Sequence, residues 1–417
     1  MRSFLQRIGH TVKVGLLLPA ALCGNAMAEA PQFSGEIATG VWSSTRMLDD
    51  RRGIAAARAK LGIDWQAAEG LRLHADAWAL TAPERMDQRR EDAGLRELYV
   101  KADGLPCAPA VGKRLVLWGR ADGINPTDQI AASNYRRLTP KDADQRAGSW
   151  GLHLDCPMGA GRLQAHLLDR FEFHDVPLNE TPGVSFREDR PRVRPTVALK
   201  YDVLGSAADW SVSFIDGHDL FPTLAVRSLT AQGLSLGREA TPMRLLGADV
   251  AVVQGELAYR GEVAWVDFNQ TANPFVARRR PYVSAVGGVE WSIGDRETIS
   301  VQGFWKRLRD VSVPQGNPMQ ADIQAAQGLI SNELDRTQYG VTLRYARPLF
   351  DSRADLDLFA VWAQPRGDWM LRGRLNYALS DAARLSVGFD LFRGPRQSFL
   401  GNLRANSLLF AEVGYSW

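Results

Sequence analysis

Residues 407–417, Ser-Leu-Leu-Phe-Ala-Glu-Val-Gly-Tyr-Ser-Trp, decide the fold. On an extended chain Leu409, Ala411, Val413, Tyr415 and Trp417 fall on one side, and Leu408, Phe410, Glu412, Gly414 and Ser416 on the other. A helix would smear Glu412 and Ser416 into the apolar stripe; a strand separates them. The stretch therefore reads as a strand with one face made for an apolar medium.

The same two-residue period recurs upstream. Leu385, Val387, Phe389 and Leu391 alternate with Arg384, Ser386, Gly388 and Asp390, and Trp369, Leu371, Leu375 and Tyr377 alternate with Arg372, Arg374 and Asn376. Tyr339, Val341, Leu343 and Tyr345 frame Thr342 and Arg344, while Leu71, Leu73, Ala75 and Ala77 frame Arg72, His74 and Asp76. Aromatic residues stand at strand ends, as Trp369, Tyr377, Tyr415 and Trp417 do, which suits the interfacial girdles of a sheet in lipid. The ending, with Val413, Tyr415 and Trp417 at steps of two, resembles the insertion signal of outer-membrane barrels.

Connections alternate between short and long. Pro157–Ala160, Gly205–Asp209, Ile293–Glu297 and Ser380–Ala383 are short and carry turn-forming residues. Gly119–Ser149, Phe171–Val193, Gly217–Pro242 and Leu308–Asp335 are long. Short periplasmic turns with longer outer loops are the ordinary asymmetry of membrane barrels, and the alternation gives about eighteen strands, with sixteen as the alternative. The expected fold is all-β: one closed antiparallel transmembrane β-barrel.

Composition agrees. Mean hydropathy is −0.22 and charged residues make up 23% of the chain, so no stretch after Ala28 can be a transmembrane helix. The first 28 residues read as a cleaved signal peptide, with Arg2, Arg7 and Lys13, the apolar run Val14–Cys23, and the small residues Ala26 and Ala28. A lipoprotein reading of Cys23 competes, but Leu22 is too bulky for that site. Residues 29–417 form the barrel, expected in the outer membrane of a Gram-negative bacterium, with outer-membrane lipid, lipopolysaccharide and the barrel-assembly machinery as partners. A net charge of +3, without a basic run interleaved with aromatics, gives no sign of nucleic acid.

Several constellations could carry function. With 16–18 strands a barrel is too wide for side chains to fill, so its lumen holds water unless plugged. Its expected lining carries Arg72, Arg114, Arg162, Arg194, Lys200, Arg344, Arg372, Arg374 and Arg384, against Asp76, Asp155, Asp355, Asp357, Asp390 and Glu412. Fixed cations in a narrow pore favour an anion, and the carboxylates dilute that field.

Trp118-Gly-Arg-Ala-Asp-Gly-Ile-Asn-Pro-Thr-Asp128 opens the long loop 119–149 after a strand placed at Lys113–Trp118. Its turn formers, with Arg120, Asp122, Asn125, Asp128, Arg136 and Arg137, suit a loop that folds inward as a constriction; an ordered external loop is the alternative. A calcium site at Asp122, Asn125 and Asp128 would need oxygens of this kind, but the EF-hand spacing is absent.

Cys107 and Cys156 fall in neighbouring turns at one end of the barrel. Strand spacing sets such turns roughly 10 Å apart, beyond the ~7 Å that a disulfide allows. The turn carrying Cys107 is long enough to lean across, so a disulfide between Cys107 and Cys156 is expected in an oxidising compartment, with two unpaired thiols as the alternative. Gly233-Leu-Ser-Leu-Gly237 has the letters of a nucleophile elbow but lies in a loop, not beneath a parallel sheet. No cofactor, metal or catalytic residue is expected.

Leu95-Arg-Glu-Leu-Tyr-Val100 and Trp118–Asp128 resemble segments of the alginate-export-type porins. The resemblance implies an eighteen-stranded barrel with a loop-gated, arginine-lined pore passing acidic polysaccharide outward. The many carboxylates among the lining residues depart from that pattern.

Overall fold

The computed structural model describes residues 29–44, 53–81, 93–135, 139–169, 172–176, 183–187, 193–231, 233–294, 296–311 and 318–417. The proposed signal peptide, and Arg136 and Arg137 of the loop, lie outside the described residues.

In chain order the strands are β1 (Gln32–Ser44), β2 (Gly53–Ala68), β3 (Leu71–Thr81), β4 (Ala93–Ala102), β5 (Ala108–Arg114), β6 (Ser149–Met158) and β7 (Gly161–Leu168). After β8 (Val184–Phe186) come β9 (Thr196–Val203), β10 (Asp209–His218), β11 (Thr223–Thr230), β12 (Gly233–Glu239), β13 (Pro242–Gln254) and β14 (Leu257–Phe268). The last are β15 (Tyr282–Ile293), β16 (Glu297–Leu308), β17 (Thr337–Leu349), β18 (Ala354–Gln364), β19 (Asp368–Ala378), β20 (Ala383–Arg393) and β21 (Leu408–Ser416).

Eighteen of these form one sheet. Each pairs antiparallel with its neighbour in the chain, β7 pairing β9 and β10 pairing β13 across the outer loops. The sheet closes where β21 meets β1, from Glu36↔Ser416 to Ser44↔Leu408. Lipid offers no hydrogen bonds, and an open edge would leave amides that each cost several kcal/mol; closure removes the edge. Trp417 extends the seam by exchanging two backbone bonds of 3.1 Å with Gly35.

Alternation sorts the side chains as expected. Ile37, Val41, Leu246, Val341, Leu409 and Val413 lie exposed on the outer face, while their neighbours Ala38, Trp42, Leu245, Thr342, Phe410 and Glu412 are buried. Among the described residues no helix is long and apolar enough to cross a membrane. Strands carry the whole span.

The short turns lie at the end holding both chain termini. At the other end β8, β11 and β12 form a small separate sheet. Leu224 and Ala277 pack there against Ile323 of the helix Pro318–Ile330. Arg279 ties this cap together by donating to Asp219 and to Glu333 at 2.7 Å, all three being buried. The connection from Gln364 to Asp368 is the one outer crossing that breaks the long-loop rhythm.

Two sequence expectations need correction. The strand placed at Lys113–Trp118 ends at Arg114, because Val116 and Trp118 turn into the barrel and are buried there. The cysteines are not a turn apart: Cys156 lies within β6, and Ala108↔Asp155 pairing sets Cys107 directly across from it. Their Cα atoms are 4.1 Å apart and the sulfurs are bonded.

Candidate functional site

A barrel this wide becomes selective only through what narrows it, and here residues 115–135 and 139–148 fold inward against the wall. The chain leaves β5, enters the lumen and returns as β6. Its first part docks on β7–β14 through an apolar patch unusual for a lumen. Val116, Trp118 and Ile130 pack against Leu168, Ala198, Ile215, Met243, Leu245, Ala264 and Val266, all inward-facing and buried. Trp118 donates its indole N–H to Gln164 at 3.1 Å, and its ring lies 6.0 Å from that of His166. Behind it His166 and His153 share a 3.0 Å contact between their Nδ1 atoms.

Charge fixes the next turn. Glu262, inward on β14 and buried, accepts the Arg120 backbone N–H, the Ala121 N–H at 2.6 Å and the Thr127 hydroxyl at 3.1 Å. The Arg120 guanidinium donates to Asp202 on β9 and Asp249 on β13. Gly119 has φ +96°, and a Cβ there would meet the Glu262 carboxylate at 2.9 Å. The close approach therefore requires glycine.

The segment then crosses to the opposite side of the circuit. Asp144 pairs with Lys60 and lies 3.7 Å from Arg58, both on β2. Lys141 reaches Glu36 on β1 at 3.1 Å. Arg374 on β19 donates to the Pro140 carbonyl at 3.3 Å, and Arg96 on β4 donates to that of Ala143 at 3.0 Å. The strap is thus tied to opposite walls.

All of the residues expected to line the pore except Arg194 sit on inward faces of the wall strands, Arg162 and Arg384 near the short turns. They do not form a ring of bare cations. Arg114 pairs with Asp155 at 3.0 Å, Arg344 with Asp357 at 2.6 Å, Arg372 with Asp390 at 2.8 Å, and Arg72 with Asp103 at 3.9 Å. In each pair the base is the more exposed partner, Arg72 at 53% against 32% for Asp103 and Arg114 at 24% against 11% for Asp155. Lys200 and Arg374 reverse this, being more buried than Asp202 and Asp390. Arg194 stands outside the wall strands, bound to Asp216.

Of the loop residues singled out in the sequence, Arg120 and Asp122 meet the wall. Asp128 instead accepts from Arg146 within the strap. Among the described residues no group of three or more His, Cys, Asp or Glu could hold a metal. Sequence reasoning missed Glu36, Arg58, Lys60, Arg260 and Glu262. Their signal was present: Arg58 and Lys60 alternate with Ala57, Ala59 and Leu61, as Arg260 and Glu262 do with Tyr259, Gly261 and Val263.

No family model and no curated protein matches the chain. Solved structures match it in shape. OccAB1 of Acinetobacter baumannii superposes with a TM-score of 0.60 at 10% identity, over 94% of this chain and 98% of that one. OccAB2 of the same organism gives 0.56 at 9% over 93% and 98%, and OccK5 (OpdH) of Pseudomonas aeruginosa 0.54 at 11% over 93% and 97%. At such identities the likeness is one of fold. It is the fold of outer-membrane β-barrel porins, and the location it supports is the Gram-negative outer membrane.

Proposed function

We propose that the chain is an outer-membrane channel in which the strap 115–148 narrows the lumen and the basic groups of the wall favour small anionic solutes. One observation carries the anion preference: in the pairs Arg72–Asp103, Arg114–Asp155, Arg344–Asp357 and Arg372–Asp390 the carboxylate is the deeper partner and the guanidinium the more exposed one. Equal numbers of opposite charges still leave a positive surface when the negative set is deeper, because the nearer charge is less screened. An acidic polysaccharide would have to thread between strap and wall, so the reading favours small solutes over polymers. No step here needs catalysis.

Planar-bilayer recording tests the proposal. The purified chain should give discrete current steps and, in a salt gradient, a reversal potential on the anion side. Replacing Arg72 and Arg344 together by Gln should move that potential towards cations while the barrel still assembles. A cation-selective native channel would overturn the anion reading. A second reading, a barrel whose lumen is blocked, draws on the ties of the strap to opposite walls; it expects no current from fully assembled protein.

A further inference from the structure

We propose that the outer rim between β10 and β16 holds a phosphorylated glycolipid of the outer leaflet, its phosphates on Arg244, Arg307 and Arg309 and its acyl chains over a bare strip of glycine on the lipid-facing wall below. The site lies outside the barrel and does not depend on what the lumen passes.

Register builds the headgroup side. At the outer ends of the strands Asp216 on β10 pairs with Arg244 on β13, and Arg244 with Asp267 on β14. Arg309 follows β16, its backbone N–H donating to the Pro281 carbonyl at 2.7 Å. Arg244, Asp267 and Arg307 each stand two residues beyond an exposed lipid-facing side chain, Leu246, Trp265 and Trp305 respectively, and Arg309 continues the step. The band therefore faces outward, not into the lumen.

Its balance is basic. Asp216 holds both Arg194 and Arg244, yet Arg244 is 72% exposed against 18% for Asp216. Arg309 reaches Asp267 at 3.3 Å and lays its guanidinium over the Trp265 ring at 4.7 Å. Arg307 is exposed, and no ion pair holds it among the described residues. Four arginines thus stand with two aspartates. Where β21 meets β1, the last outward pair is Ser43 with Leu409, which carries no charge. Guanidinium groups match phosphate oxygens through paired N–H donors, and tryptophan marks the headgroup level of a bilayer. Arginines just above Trp265 and Trp305, on the lipid side, meet headgroups before they meet any solute of the pore.

Below them the wall is bare. Gly261 on β14 pairs with Gly287 on β15, and Gly287 with Gly303 on β16, all on the lipid-facing side. A Cβ at any of the three would meet nothing nearer than 3.5 Å, so no contact within the protein demands glycine. Glycine weakens a strand interior and often marks a close approach by something else. The exposed Val263 and Trp305 above, and Tyr259 and Val301 below, make the strip a trough. Gly303 lies roughly 14 Å along β16 from Arg307, at about 3.4 Å per residue. Half of a ~30 Å hydrocarbon core is about as deep, so chains hanging from a headgroup at the arginines reach the strip.

The test is native mass spectrometry of the folded full chain in detergent, titrated with bisphosphorylated lipid A and, in parallel, with the same lipid stripped of its phosphates. Arg307→Gln combined with Arg309→Gln should weaken binding of the phosphorylated lipid about ten-fold, the equivalent of ~1.4 kcal/mol, and leave the stripped lipid unchanged. Arg244→Gln, on another strand, should act in the same direction. Gly287→Leu fills the trough without touching a charge and should weaken both lipids several-fold. Heat-modifiable mobility checks that each variant has assembled.

Equal affinity of the native chain and the arginine variants would overturn the site. Displacement of the lipid by equimolar inorganic phosphate would also overturn it, leaving a site for free anions. A Gly287→Leu chain that changes its number of copies and keeps its lipid affinity would assign the trough to a second barrel and overturn the acyl half of the proposal.

Discussion

The wall and the strap obey different physics. The wall is held by backbone ladders that any alternating sequence can make, and its closure follows from the cost of an unpaired edge in lipid. The strap has almost no ladder. It is held by an apolar patch and by side-chain contacts between residues far apart in sequence, such as Arg120 with Asp249 and Asp144 with Lys60. A wall of this kind tolerates single changes of side chain, whereas a strap of this kind depends on a few buried groups. On the proposed reading the wall gives assembly and the strap selectivity, and the two should fail separately.

The largest expected effect would break that separation from the wall side. Trp417 lengthens the β1–β21 seam through both of its backbone groups, and its indole covers Gly35 in space that a Cβ would fill. Deleting Trp417 should reduce assembled, heat-modifiable barrel about ten-fold, an effect of roughly 1.4 kcal/mol on the partition between assembled and unassembled chain. Normal assembly of the deletion would show that the seam does not depend on its last residue.

Next comes a change confined to the strap. Glu262 satisfies three donors of the segment Arg120–Thr127. Glu262→Ala orphans them, at about 1–3 kcal/mol for each donor that stays buried, so the docked strap should loosen and not the barrel. Conductance should rise several-fold with unchanged heat-modifiable mobility. A variant that fails to assemble would show that strap and wall are one cooperative unit.

This contrast also explains what the sequence could reveal. The wall was legible because its period is two everywhere and a one-residue slip would turn every apolar side chain the wrong way. The strap was legible as a candidate, from the turn formers in Trp118–Asp128, but not in its partners, which come from strands up to half a circuit away. Its apolar seat left a trace of its own. Phe214–Ile215, Leu245–Leu246 and Ala264–Trp265–Val266 are apolar on both faces, a break in alternation that marks where something packs inside. The run Leu115–Trp118 misled for the same reason, since an apolar stretch docking in a lumen looks like one more strand facing lipid. The disulfide between Cys107 and Cys156 is the one expected, and only their separation was overestimated, by counting turns where pairing register decides.

The smallest expected effect lies where strap and cap meet. His174, in the connection between β7 and β9, accepts the Ser133 N–H on Nδ1 at 2.9 Å and donates its own backbone N–H to Leu220 at 2.8 Å. The Phe221 ring packs edge-on against it at 4.6 Å. Burial pushes this imidazole down to about 3, the nearby Arg146 and Arg279 adding to the effect. The folded junction therefore holds neutral histidine while an opened one binds a proton in the usual range near 6.5. Its contribution is intact above that range and is lost progressively as pH falls towards 3. Hydrogen exchange at Ser133 and its neighbours should accelerate between pH 6.5 and 4, after correction for intrinsic rates, while the β1–β21 seam stays protected. His174→Asn, which cannot titrate in this range, should flatten the dependence. Equal acid sensitivity in that variant would assign the opening to other groups, and acceleration at the seam as well would mean that strap and wall open together.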